Sequence, residues 1–144
     1  MKMIPGIKEK LGFWSENILN KWTSNENWLW FHAVSVGELN AVWPLVLEIN
    51  KLKPEYPIMI STTTFNGYNL AIKLASNYNF LVIYFPFDFP WVVKSLLSKA
   101  KVKTLCIVET EIWPCLLNEC KKRNIPIISK RISAEPKEDC EACQ

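Results

Sequence analysis

The sequence is short of the groups on which much enzyme chemistry is built. It holds a single histidine, His32, and two aspartates, Asp88 and Asp139, far apart in the chain. Two lone aspartates cannot make a D-x-D metal motif. Ser35 has no plausible partners for a hydrolase triad, because His32 stands just before it in the same run. Gly37 lacks the companions of a G-x-G-x-x-G or P-loop, which argues against a nucleotide cradle. No stretch approaches the roughly 18 apolar residues of a spanning helix. The richest run, FLVIYFPFDFPWVV (80–93), is broken by Pro86, Asp88 and Pro90. The N-terminus, MKMIPGIKEKLGFW, has no continuous apolar core of the signal-peptide kind. A cytoplasmic chain is expected.

Charge and cysteine exclude further classes. The formal charge is +3, with no Lys/Arg block that would act as a nucleic-acid arm. Five cysteines, an odd number without a secretory signal, argue against a disulfide framework. Cys106 lies in an apolar run, Cys115 and Cys120 in a helical pattern, and Cys140 and Cys143 form C-x-x-C in a polar tail. Zinc would need two more ligands, and His32 is about a hundred residues from that pair. Reduced thiols and no metal or cofactor are expected.

What is present is an alternation of two periods. Short apolar runs stand at 28–34, 57–63, 80–85, 104–109 and 126–129, several of them β-branched or aromatic, as buried strands are. Helical spacing fills the intervals: Val42, Leu45, Val46, Ile49 and Leu52; Leu70, Ile72, Leu74 and Ala75; Val92, Val93, Leu96 and Leu97; Ile112, Leu116, Leu117 and Cys120. Strand and helix in turn predict βαβ units and an α/β fold with a parallel sheet. Pro54, Pro57, Pro90 and Pro126 stand at element edges, and Pro44 and Pro114 are placed in first helical turns. At 144 residues the chain suits one domain. Residues 1–27 are read as one short helix carrying Trp14, Ile18, Leu19 and Trp22, residues 28–132 as the α/β domain, and 133–144 as a disordered polar tail.

In an open parallel sheet, ligands gather at the carboxyl ends of the strands. Three junctions place polar residues on that rim: SVGE (35–38), STTTFNG (61–67) and ETEIW (109–113). A carboxylate at a helix N-terminus can cap the helix or take a proton from a bound hydroxyl. Glu38, Glu109 and Glu111 all leave that choice open. His32 reads as a strand residue satisfied by hydrogen bonds.

Taken in order, WFHAVSVGE (30–38), ISTTTFNGY (60–68), VIYFPFDFP (82–90) and VETEIWPCLL (108–117) resemble the N-terminal domain of 3-deoxy-D-manno-octulosonic acid (Kdo) transferase. GIKEKLGFW (6–14) resembles the segment that precedes it, and the likeness runs from residue 6 to 133. The resemblance implies the Rossmann-like N-terminal half of a GT-B glycosyltransferase that moves Kdo from CMP-Kdo to a lipid A precursor in lipopolysaccharide synthesis. It implies Glu38 as general base and Glu109 as the group that assists the transition state, with no metal in the step. It also implies peripheral contact with the cytoplasmic face of the inner membrane, here expected of a stripe of Ile4, Ile7, Leu11, Trp14, Ile18 and Trp22 with Lys2, Lys8, Lys10 and Lys21 beside it; packing of the same stripe on the domain is the alternative. The family's membrane anchor and donor domain have no counterpart in the sequence, and SAEPKEDCEACQ (133–144) has no likeness to the family. The expectation is a truncated chain, inactive unless a separately encoded C-terminal domain completes it. A non-enzymatic remnant or lipid-binding module that keeps the fold is the alternative.

Overall fold

The computed structural model describes residues 6–108 and 113–130. Two short helices, α1 (Ile7–Lys10) and α2 (Glu16–Ser24), come first. Then β1 (Trp28–Ala33), α3 (Val36–Leu52), β2 (Ile58–Thr62), α4 (Phe65–Leu74), β3 (Leu81–Tyr84), α5 (Pro90–Lys99), β4 (Val102–Val108), α6 (Pro114–Lys122) and β5 (Ile127–Lys130) follow in alternation. Every strand pairing is parallel, in the order β3-β2-β1-β4-β5. This is the expected α/β sheet, with β4 beginning two residues earlier than the apolar run implied.

A parallel sheet needs cover on both faces, and the period-2 alternation of the strands supplies it. Trp30, Met59, Ile83 and Leu105 face one layer with Trp14, Ile18, Trp22, Val92, Val93, Leu96 and Leu116. Phe31, Ile60, Val82 and Cys106 face the other with Leu39, Val42, Trp43, Val46 and Ala71. Two predicted helical faces are therefore rotated. In α3 the buried stripe is Leu39, Val42, Trp43 and Val46, while Leu45 and Leu52 are exposed; in α4, Ile72 is exposed. The apolar residues outnumber the positions that the sheet can cover, so periodicity alone chose some of the wrong ones. Pro44 lies in the interior of α3 and not in its first turn. The apolar period had been counted from Val42, whereas the helix begins at Val36.

The N-terminal segment also differs from the expected single helix. Gly12, at φ 97°, breaks it in a left-handed turn that favours glycine. Ser15 then caps α2 by accepting from the Ile18 N–H at 3.3 Å. Trp14, Ile18 and Trp22 are buried in the domain, and the Trp22 indole N–H reaches the Met59 sulfur at 3.2 Å. Half of the six-residue stripe expected to meet a membrane is therefore core, with Ile7 partly buried and Leu11 exposed. Ile4, Lys2 and the tail 133–144 lie outside the described residues.

Asp88, in the FPFDFP loop, ties two units together. Its two carboxylate oxygens accept from the Cys115 and Leu116 N–H groups, each at 2.9 Å. These are free donors in the first turn of α6, whose own N-cap residue, Trp113, makes no capping bond. Removing this cap by Asp88→Ala should lower stability by about 1–2 kcal/mol, with Asp88→Asn losing less, as read by urea unfolding.

Candidate functional site

The strand order reverses at β1, with β2 on one side and β4 on the other. Ligand crevices in such sheets open outside the carboxyl ends of the strands at this point. Ala33 and Val108 are register partners at that edge. Glu38 stands in the first turn of α3, four residues beyond Val34, and Glu109 follows Val108 in the chain. Glu109 and Glu111 lie outside the described residues, so Glu38 and the 61–67 loop are the predicted rim features that the structure brings to one edge.

Glu38 is half-buried, and its Oε1 accepts from the Val34 N–H at 2.7 Å. A capping box would aim that oxygen at the N-cap residue, Ser35, whose hydroxyl here makes no capping bond. The carboxylate reaches one residue further back, over the point where the chain leaves β1. It therefore serves the backbone at the β1 exit and not a free N–H of the helix, as the capping reading would have it, and that bond helps to fix where the acid sits. Beside it, a Cβ on Gly37 would meet nothing within 4 Å among the described residues.

A series of backbone contacts continues from there. The Thr63 N–H donates to the Val34 carbonyl at 3.3 Å, joining the β2 exit to the β1 exit. Thr64 caps α4 by accepting from Gly67 N–H at 3.0 Å. The Thr63 carbonyl accepts from Lys10 Nζ at 3.1 Å. Lys10 is buried, lies over the Tyr84 ring at 5.3 Å and near Phe87 at 6.0 Å, and burial lowers its pKa. Its neighbour Glu9 accepts from the Tyr84 N–H at 2.9 Å, while burial raises the Glu9 pKa against the smaller effect of that bond. Neither residue was singled out as part of the site from sequence. The signal was the GIKEKLGFW segment, in which Lys8 and Lys10 are expected beside a membrane-facing stripe and not at the rim.

His32 is the other departure. It is fully buried, stacked on Phe85 at 3.7 Å between ring centroids and edge-on to Trp113 at 6.1 Å. Nδ1 lies 2.9 Å from the Ser61 hydroxyl, which in turn accepts from the Trp30 indole N–H at 2.8 Å. Nε2 is buried without a partner, as are the Thr62 and Thr63 hydroxyls on the same edge. The expectation of a satisfied histidine holds for one nitrogen only. Among the described residues, no three His, Cys, Asp or Glu side chains gather as a metal set, and Cys140 and Cys143 lie outside them.

Burial drives the His32 pKa down to about 3, opposed by the backbone hydrogen bond to Ser61. A folded pKa below the unfolded value means that stability is complete above pH 6.5 and is lost as pH falls toward 3. Between pH 6.5 and 5 the protein should lose roughly 1.4 kcal/mol per pH unit in urea unfolding. His32→Gln should remove that slope. Glu9, with its raised pKa, contributes in the opposite sense and would set the residual trend.

Comparison with known proteins bears on what this rim is for. The family profile of 3-deoxy-D-manno-octulosonic-acid transferase (Kdo transferase) matches residues 5–135. A bifunctional glycosyltransferase/methyltransferase of Fusobacterium nucleatum is 37% identical over 135 residues, covering 90% of this chain and 21% of that protein. The 3-deoxy-D-manno-octulosonic acid transferase of Haemophilus influenzae is 32% identical, covering 74% of the chain and 25% of the relative. A probable mitochondrial 3-deoxy-D-manno-octulosonic acid transferase of Arabidopsis thaliana is 32% identical over 69% of the chain and 22% of its own length. The chain thus spans about a fifth to a quarter of these relatives.

Proposed function

Because the chain belongs to the 3-deoxy-D-manno-octulosonic-acid transferase family, we propose that it is the acceptor-side half of a transferase that moves Kdo from CMP-Kdo to a lipid A precursor. The observation that carries this reading is Glu38, held over the carboxyl end of β1 beside the switch point. In the proposed step the carboxylate takes the proton of the acceptor hydroxyl. That oxygen forms a bond to the anomeric carbon of Kdo, and the bond from this carbon to the phosphate oxygen of CMP breaks, its electron pair leaving with CMP. Glu109 is assigned the charge that develops in the transition state, on family resemblance. The grip on CMP-Kdo is assigned to a C-terminal domain of the kind that the relatives have length for, since they are four to five times as long as the matched segment.

Such a reaction depends on holding acceptor, base and donor together. The purified chain with both substrates should give no measurable transfer, and adding the C-terminal half of the Haemophilus influenzae relative should produce some. In that pair Glu38→Gln should cut the rate by about 10²–10⁴-fold, because the amide cannot accept the proton. Transfer by the lone chain would refute the need for a second half, and full activity of the Gln variant would remove Glu38 from the mechanism.

Contact with the cytoplasmic face of the inner membrane is assigned to an aromatic group at the surface. Phe13, Phe89 and Trp91 are exposed, and Phe89 stacks on Trp91 at 4.9 Å. Gly12 lies beside Val92, which brings Phe13 to the start of α5, and Lys8 and Lys94 are exposed nearby in sequence. Aromatic burial with lysines near anionic lipid gives reversible binding. The double substitution Phe13→Ser/Trp91→Ser should weaken flotation with anionic vesicles about tenfold, a loss near 1.4 kcal/mol. Unchanged flotation would overturn the assignment.

A further inference from the structure

From the contacts that join α1 to the rim, we infer that Lys10 is a positioning residue for Glu38. The inference rests on the reading of Glu38 as the base. Four hydrogen bonds carry it across the sheet edge. Lys10 is anchored through its own carbonyl, which accepts from the Phe87 N–H at 2.9 Å beyond β3. Its ammonium donates to the Thr63 carbonyl at 3.1 Å. Thr63 donates its N–H to Val34 at 3.3 Å, and Val34 donates its N–H to Glu38 at 2.7 Å. Residues 10, 63 and 34 are distant in sequence yet form, with Glu38, one series of contacts, so the place of α1 sets the height of the 63–64 turn and of the β1 exit under the carboxylate.

The choice of lysine supports this role over a purely structural one. Among the described residues no carboxylate pairs with Lys10, because the adjacent Glu9 is turned to the Tyr84 N–H. A desolvated ammonium without a counter-charge is costly, and its pKa is lowered accordingly. A methionine would fill the same space between Tyr84 and Phe87 without that cost. What methionine cannot do is hold the Thr63 carbonyl.

The test pairs stability with a signal at the site. Lys10→Met should unfold in urea at a midpoint no lower than that of the parent chain. Its Val34 amide proton should nevertheless move upfield in NMR spectra, towards its position in Glu38→Gln, while the amides of Trp30 and Phe31 stay in place. Lys10→Arg, which keeps a cationic donor, should restore the Val34 signal. In the complemented pair the Met variant should lose about tenfold or more in kcat with little change in KM, as a small displacement of a reacting group can. An unmoved Val34 amide in Lys10→Met would overturn the inference whatever the activity. A shifted Val34 amide with unchanged transfer would uphold the link and instead sink the assignment of Glu38 as base. Loss of stability in Lys10→Met with no recovery of the Val34 signal in Lys10→Arg would make Lys10 a structural residue and overturn its positioning role.

Discussion

Where a parallel sheet ends, its ladder leaves peptide groups that have no strand partner, and at the carboxyl edge of this domain charged side chains satisfy them. Glu38 takes the N–H of Val34, Glu9 takes that of Tyr84, and Lys10 gives to the carbonyl of Thr63, while Asp88 does the same for the free N–H groups of Cys115 and Leu116 at the start of α6. An orphaned buried peptide group costs about as much as a lost hydrogen bond. Hydrogen bonds to charged groups are the stronger kind and are directional. The loops that build the crevice are therefore fixed by bonds between side chain and backbone, reaching up to 75 residues along the sequence. The ion pair of Glu119 with Arg123 is a local contact on α6 and has no such reach.

This constraint explains which parts of the structure were legible in the sequence. Strand positions and parallel topology followed from apolar runs and proline punctuation, because burial on both faces of a sheet leaves a mark on every residue of a strand. The rim location of Glu38 followed from topology alone. Helix faces were less legible, since Leu45, Leu52 and Ile72 are apolar yet exposed. The bonds that organise the rim left no pattern at all. Lys10 and Thr63, or Asp88 and Leu116, are paired by the fold, and no periodicity connects them. Family resemblance marked the segments that take part but said nothing of their contacts with one another.

The same edge is where the fold tolerates unfavourable burial. His32 Nε2 and the hydroxyls of Thr62 and Thr63 are buried without partners, and Lys10 is a buried cation with no counter-charge among the described residues. An unpartnered buried polar atom costs on the order of 1–3 kcal/mol. Elsewhere the sheet is filled with Trp, Ile, Leu and Met side chains that carry no such penalty, apart from the indole nitrogens of Trp14 and Trp28. Departures from the rules of stable packing concentrate at functional sites, where groups must be held ready for a ligand.

If stability alone had shaped this rim, shorter means were at hand. Ser35 could have capped α3 with its hydroxyl, as Ser15 caps α2 and Thr64 caps α4, yet it makes no such bond. Glu38 serves a different peptide group, the Val34 N–H at the β1 exit, and so brings a carboxylate to that turn. A hydroxyl cap would have satisfied a helix N–H while leaving no acid in the crevice. Using the acid for the β1 exit gives the carboxylate a fixed position without closing the turn around it. On the proposed reading of Glu38 as the base, serving the backbone and taking a proton are compatible roles, because the bond to the Val34 N–H also sets where the carboxylate lies.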